Sequence, residues 1–466
     1  RFLTNSATDV GGGLWSAFAT LLVTGTEFSG NSALSGGAIG SFFLNAGSRI
    51  EQCLFAGNVA SFHGGALHSK YDTEIGLARN QWLGNQAADG GALFADGWFG
   101  EGRVDNNLFA GNSSSGAGAA ADIALGTTAT RLLARHNTHV AANSGQTTLH
   151  AGTADGNWLT VTNSVLSGYG IGMQAATSTK IVADRILLEG VATAGDDSLG
   201  GIITLTGVYS GGAGFVDAST GNYRLSANSA AINRGVEAGV AEDFDGEVRP
   251  QSTAPDLGFD ESPYVAPTPT ATPAPPTPTP TQTPTPTATP VPPTPTPTQT
   301  PTATPTTAIA PCSQAALAAL FASNTTPIVL DGSCTYHLTS SGNSYAFFDF
   351  WNRQDLLIDG QGAIIERAIN APEKGVLAFF QSQNITLKNL TIRGGKATTG
   401  FGLGGGLWFF RTTARVENVK LLNNTADTGG GLQVEHGDSQ VTLVNSLLAD
   451  NVAQEQGAAI FATGGM

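Results

Sequence analysis

The sequence predicts an all-β fold: two right-handed parallel β-helix modules joined by a Thr/Pro-rich linker. Three observations carry this. Asn31, Asn58, Asn85 and Asn112 recur every 27 residues, and Phe28, Phe55, Trp82 and Phe109 recur with them three positions earlier. A glycine phrase returns in the same period, as Gly36-Gly37-Ala38-Ile39, Gly64-Gly65-Ala66-Leu67 and Gly90-Gly91-Ala92-Leu93, and again beyond the linker as Gly404-Gly405-Gly406-Leu407 and Gly429-Gly430-Gly431-Leu432. Sixteen of the 22 prolines fall between residues 267 and 305, leaving the rest nearly proline-free, as long stacks of strands require.

Residues 1–213 form the first module. Short alternating runs such as 48–55 and 102–109 cannot bury their apolar side alone. Coiling them, so that each repeat pairs with the next, buries it in one column with equivalent residues about 4.8 Å apart. Phe28, Phe55, Trp82 and Phe109 then form an interior ladder. Asn31, Asn58, Asn85 and Asn112 form a turn ladder, where left-handed backbone is tolerated and amides bond the next copy. Residues 214–264 read as a terminal segment, suited to supplying the polar lid that a stacked column needs. Residues 265–309 cannot bury a core and read as an extended polyproline spacer, on the order of 120 Å at about 3.1 Å per residue. A docking strip or an O-glycosylated stalk is the alternative. Residues 310–466 form the second module, opening with a helix over 313–324 capped by Ser313. The first module reads as lacking its start and the second its end, as in a piece of a longer tandem chain.

Composition narrows the function. The net charge of −15, with 21 cations in 466 residues, argues against nucleic acid. No apolar run spans a membrane. Cys312 and Cys334 flank 21 residues and suit a loop-closing disulfide in an oxidising compartment. Two reduced buried thiols are the alternative. Cys53 takes the position of Asn80 and Asn107 in its coil and reads as an inert substitution.

The paired phrases Phe-x-x-Asn and Gly-Gly-Ala-Ile/Leu resemble the repeats of polymorphic outer-membrane-protein passengers, and more generally those of the pectin-lyase-like superfamily. Residues 214–261, with Gly221-Asn222-Tyr223-Arg224-Leu225, Asp243-Phe244-Asp245-Gly246, Arg249-Pro250 and Pro255-Asp256-Leu257-Gly258-Phe259-Asp260-Glu261, resemble the terminal segment of bacterial proteins with a choice-of-anchor (type Q) domain. The resemblance implies a secreted or surface-attached bacterial protein. A ladder of structural residues without an evident catalytic set, with a stalk between modules, leads to the expectation of a non-enzymatic role in adhesion, glycan contact or display, with monomeric modules and a polysaccharide or cell-surface ligand.

The alternative is a polysaccharide lyase or glycoside hydrolase acting on acidic polysaccharide along a lateral groove of the β-helix. Its weak catalytic candidates are Asp196, Asp197, Arg131 and Arg135, with Asp122 and Asp155 nearby in sequence. General acid–base cleavage needs two carboxylates about 5–10 Å apart, which one Asp-Asp pair does not establish. No cofactor is expected except calcium, for which Asp243 and Asp245 are weak candidates against ordinary turn chemistry. His63, His68, His136 and His139 read as surface or turn residues rather than a metal set.

Overall fold

The computed structural model describes residues 1–124, 131–152, 157–264, 312–323, 325–340, 343–400 and 402–464. The proline-rich run and Asp155 lie outside the described residues. Strands make up 49% of the chain and helix 3%. The strands pair in parallel to form a β-solenoid of about 15 turns.

One coil shows the plan. Leu22–Thr24, Glu27–Ser29, Ser32–Ser35 and Ile39–Phe42 pair in parallel with their counterparts one coil on: Arg49–Glu51, Leu54–Ala56, Val59–His63 and Leu67–Lys70. Repeated along the axis, these positions become sheets of 19, 8 and 13 strands among the described residues, with a five-stranded sheet in the second stretch. The runs 48–55 and 102–109, which the alternation alone reads as single strands, are each broken by a left-handed residue, Gln52 or Asn106. That residue turns the chain through a corner. At the next corner the left-handed residue is the glycine before each asparagine: Gly30, Gly57, Gly84 and Gly111 have φ of 63, 59, 61 and 67°. The glycine therefore supplies the turn, and the asparagine is free to point inward. In the Gly-Gly phrase the second glycine is needed for space, since a Cβ on Gly37 would lie 2.2 Å from the Gly65 carbonyl oxygen.

Inside the column, ring centroids lie 5.1 Å apart for Phe28–Phe55, 4.2 Å for Phe55–Trp82 and 5.6 Å for Trp82–Phe109. The stack runs on to Phe2 and to His139. His136 and His139 are thus buried, not surface residues: His139 takes the inward ladder position of its strand, and His136, the left-handed corner residue before it, lies under residues 214–264 and beside Asn163 at 2.9 Å. Burial drives the His139 imidazole down to about 3, which keeps it neutral. Each ladder asparagine uses its side-chain oxygen for two bonds from the copy before. Asn58 Oδ1 accepts from the N–H and the amide of Asn31, both at 3.0 Å, and Asn85 Oδ1 does the same for Asn58. All are fully buried, so the amides satisfy donors that water cannot reach.

The two coiled stretches meet. Leu447–Ala449 pairs with Phe2–Leu3, Val452–Ala453 with Ser6–Ala7, and Ile460–Ala462 with Leu14–Ala17. Both ladders cross the joint: Phe2 lies in register with Leu448, and Asn5 Oδ1 accepts from the N–H and amide of Asn451 at 3.0 and 2.9 Å. Residues 1–266 and 310–466 accordingly make one compact unit. Open strand edges carrying the same repeat are mutually complementary, so stacking satisfies both.

The far end of the second stretch is closed by the helix Gln314–Ala322. Ser313 Oγ accepts from the Ala316 N–H at 3.1 Å, and Leu317 and Phe321 are buried. Phe321 meets the rings of Phe348 and Phe350 edge-on. The Cys312–Cys334 disulfide, with Cα atoms 5.2 Å apart, ties the helix to the first coil. Cys53 is a buried free thiol raised to about 11 by burial, and its N–H donates to Asn80 as a ladder residue would.

Residues 214–264 lie along the side of the column rather than across its end. Leu257, Ile232 and Leu225 pack on Val165 and Leu187, and Phe259 packs on Leu108 and Ala110. Those wall positions are apolar and face outward, so they draw the segment sideways. The last strand of the stack, Ile202–Ser210, keeps Ile202 and Val208 exposed.

Candidate functional site

The outward face of the 13-stranded sheet is the most distinctive surface of the molecule. In the phrase Gly-Gly-x-Leu the leucine points inward, and the next residue points out. Register places Trp408, Gln433, Phe461, Trp15, Gly40, His68 and Phe94 in one line along the axis. A parallel line two residues on carries Trp351, Phe380, Phe410 and Glu435, then Phe42, Lys70 and Asp96. Trp351 stacks on Phe380 at 4.3 Å, Trp15 on Phe461 at 4.6 Å and His63 on Phe94 at 4.2 Å. The Trp15–Phe461 pair bridges the joint, so the wall is continuous across the two stretches. At one margin Phe18, Phe43, Tyr71 and Phe99 form a further aromatic cluster, with Phe18 61% exposed.

Polar groups punctuate this wall. The Trp408 indole donates to Glu435 at 3.0 Å, Gln433 donates to the same carboxylate at 3.1 Å, and Lys70 pairs with Asp96 at 3.3 Å. Burial, with the neighbouring His63 and Lys70, pushes His68 down to about 3. The His63 and His68 rings lie 5.6 Å apart.

The structure does not bring the catalytic candidates together. Asp196 ends a strand of the 13-stranded sheet, where it accepts from Gln174 at 2.8 Å and the Ser198 N–H at 3.0 Å. These bonds hold its carboxyl below the usual range. Asp197 is exposed in the following turn. Arg131 and Arg135 belong to the 19-stranded sheet instead. Arg131 is exposed, and Arg135 is committed to Asp105 at 2.5 and 2.8 Å and to the Ala238 carbonyl. Asp122 pairs in backbone register with Phe94, one coil on.

Asp243 and Asp245 gather with Asp260, their ligand atoms within 4.8 Å of one another. Each carboxylate already has protein partners. Asp243 accepts from the N–H groups of Asp245, Glu247 and Glu261; Asp260 accepts from Leu225; and Arg224 grips both Asp245 oxygens at 2.5 and 2.7 Å. Arg224 brings its own positive charge to the group. Burial, with the like charges of Asp243 and Asp245 adding to it, pushes Asp260 up to about 6. Close by, Arg249 is buried against Glu261 at 2.8 Å and bonds the Gly258 carbonyl. These groups fasten the lateral segment to the wall.

No family model, no curated protein and no solved structure matches the chain.

Proposed function

We propose that this chain is a secreted or cell-surface bacterial protein, of the pectin-lyase-like kind, that contacts polysaccharide along the aromatic wall and does not cleave it. The observation that supports this most is the wall: aromatic side chains recur along the axis on the outer side of the sheet, with Trp351 47% exposed and Trp15, Phe42, Phe94, Phe410 and Phe461 half-buried, while Phe380, Trp408 and Gln433 are covered by their neighbours. A soluble protein seldom leaves so extended an apolar strip unused. Sugar rings offer apolar C–H faces and hydroxyl edges, which match the wall's aromatic and polar groups. The net charge of −15 favours neutral glycans over uronans. The separation of Asp196 and Asp197 from Arg131 and Arg135 supports binding without turnover, and the disulfide fits an oxidising compartment.

Affinity electrophoresis through gels containing neutral or uronate polysaccharides tests the reading. Retardation by at least one neutral polymer, lost in a Trp15→Ala/Trp351→Ala variant of unchanged circular dichroism, is the expected result. Equal retardation of that variant, or none with any polymer, would refute it. New reducing or unsaturated ends after incubation with the polymers would replace it with a catalytic function.

A further inference from the structure

Residues 214–264 turn aside along the column, and the end of the stack they leave behind has no lid. Among the described residues Ile202–Ser210 pairs with Thr179–Glu189 alone and has no partner on its other edge. Ile203 and Leu205 point into the column beside Ile181 and Ala183, but they are only half-buried, because none of the described coils covers them. A cavity of about 600 Å³, lined by Leu188, Val191, Val208 and Tyr209, opens at the same end. None of the nine residues of the edge strand is charged, and none is proline. Charge and proline are the usual means by which an edge is kept from pairing.

Register assigns the free peptide groups. The carbonyls of Arg135 and Thr162 accept from Asn106 and His136 of the preceding coil at 3.0 and 2.9 Å. Thr206 continues that row, through Asp184. Thr206 therefore faces back into the stack, as do Thr204 and Ile202. Alternation turns the N–H and C=O of Ile203 and Leu205 toward the empty side. When the same strand is turned about a two-fold axis at Thr204, Ile203 of each copy exchanges both bonds with Leu205 of the other. Side chains agree with this pairing, since residues directly opposite share a face. Ile203 meets Leu205 inside the column, while outside it Thr204 meets Thr204 and Ile202 meets Thr206.

We propose that this end takes a second copy of the chain, edge to edge about that axis, so that two columns join end to end. An uncharged edge brings no like charges to the axis, and each copy supplies the aliphatic cover that the other's Ile203 and Leu205 lack. The proline-rich run of the same chain is a poor competitor: its sixteen prolines between residues 267 and 305 lack the N–H that such an edge accepts. The proposal stands apart from the aromatic wall and its ligand.

The test is sedimentation equilibrium of the whole chain over a range of concentrations. A monomer–dimer equilibrium is expected. Thr204→Lys sets two ammonium groups against each other across the axis at an exposed site, and should raise the dissociation constant at least tenfold with circular dichroism unchanged. Cα atoms paired in this way lie about 4.5 Å apart, within disulfide reach, so Thr204→Cys should oxidise to a covalent dimer. Ile369→Cys, at a residue 89% exposed in the other stretch, should not. A monomer at every concentration, a dimer of equal strength in Thr204→Lys, or cross-linking through residue 369 as readily as through residue 204 would each overturn the proposal.

Discussion

Asn58 is the sharpest place to test the buried amide ladder. Replacing it with alanine removes the oxygen that accepts from the Asn31 N–H and from the Asn31 amide, both at 3.0 Å in a site without water access. The Asn31 amide keeps its bond to the Phe2 carbonyl, but two donor hydrogens lose their partner. A buried unsatisfied group costs about 1–3 kcal/mol, so the loss is about 4 kcal/mol, focused on the coils of Asn31 and Asn58. Because solenoids open locally as well as globally, hydrogen exchange followed by mass spectrometry is the assay. Peptides covering residues 27–35 and 54–63 should exchange about a thousandfold faster in Asn58→Ala. The neighbouring Val59→Ala, at a residue 43% exposed, should change the same peptides less than threefold. Near-equal exchange in the two variants would refute the ladder's contribution.

Three further predictions concern the rest of the unit. Asp72 accepts from Ser41, Ser69 and the Leu44 N–H, and burial raises it to about 6. Its folded pKa exceeds the unfolded value near 3.9, so the folded form binds the proton more tightly and stability rises as pH falls through 6. The gain between pH 7 and 5 is about 1 kcal/mol, and it should vanish in Asp72→Asn; denaturant titrations that show the same pH slope in both proteins would contradict this. Cys312→Ser/Cys334→Ser opens a loop of sequence separation 22 and should lower the stability of the helix-capped end by about 3 kcal/mol, read as faster exchange over 314–338; unchanged exchange would contradict it. Because Arg224 already neutralises Asp245, calcium should leave the melting temperature of the native protein unchanged; a calcium-dependent rise that Asp243→Asn abolishes would show that the carboxylates hold a cation.

Much of the fold was legible because a solenoid writes its period into the chain. Phe28 to Phe109 and Asn31 to Asn112 repeat every 27 residues since each must stand above its predecessor, and the glycines mark the corners. The outward wall carried a signal too: Trp15, Gly40, His68, Phe94, Trp408 and Gln433 each follow the Gly-Gly-x-Leu/Ile phrase by one residue. They escape notice because that position varies in type, as an outward residue is free to do, while the interior is held to similar volumes. The joint between Ile460–Ala462 and Leu14–Ala17 is not written locally, since pairing of distant edges depends on which ends the fold leaves open. Nor was the sideways lie of 214–264 legible, because it depends on Leu108, Val165 and Leu187 facing out rather than in. The separation of Asp196, and of Asp197 in the turn after it, from Arg131 and Arg135 on another sheet likewise follows from register, which sequence offsets across changing coil lengths do not give.

Both coiled stretches form one column, with one wall running through the joint. Ser6 and Val452 are in-register neighbours on exposed positions of that joint, one strand spacing apart and within the reach of a disulfide. The double variant Ser6→Cys/Val452→Cys, oxidised at low concentration and digested for mass spectrometry, measures it directly. The expected product is a monomer carrying a peptide cross-link between residues 6 and 452. Free thiols, or cross-links found only in dimers, would contradict it.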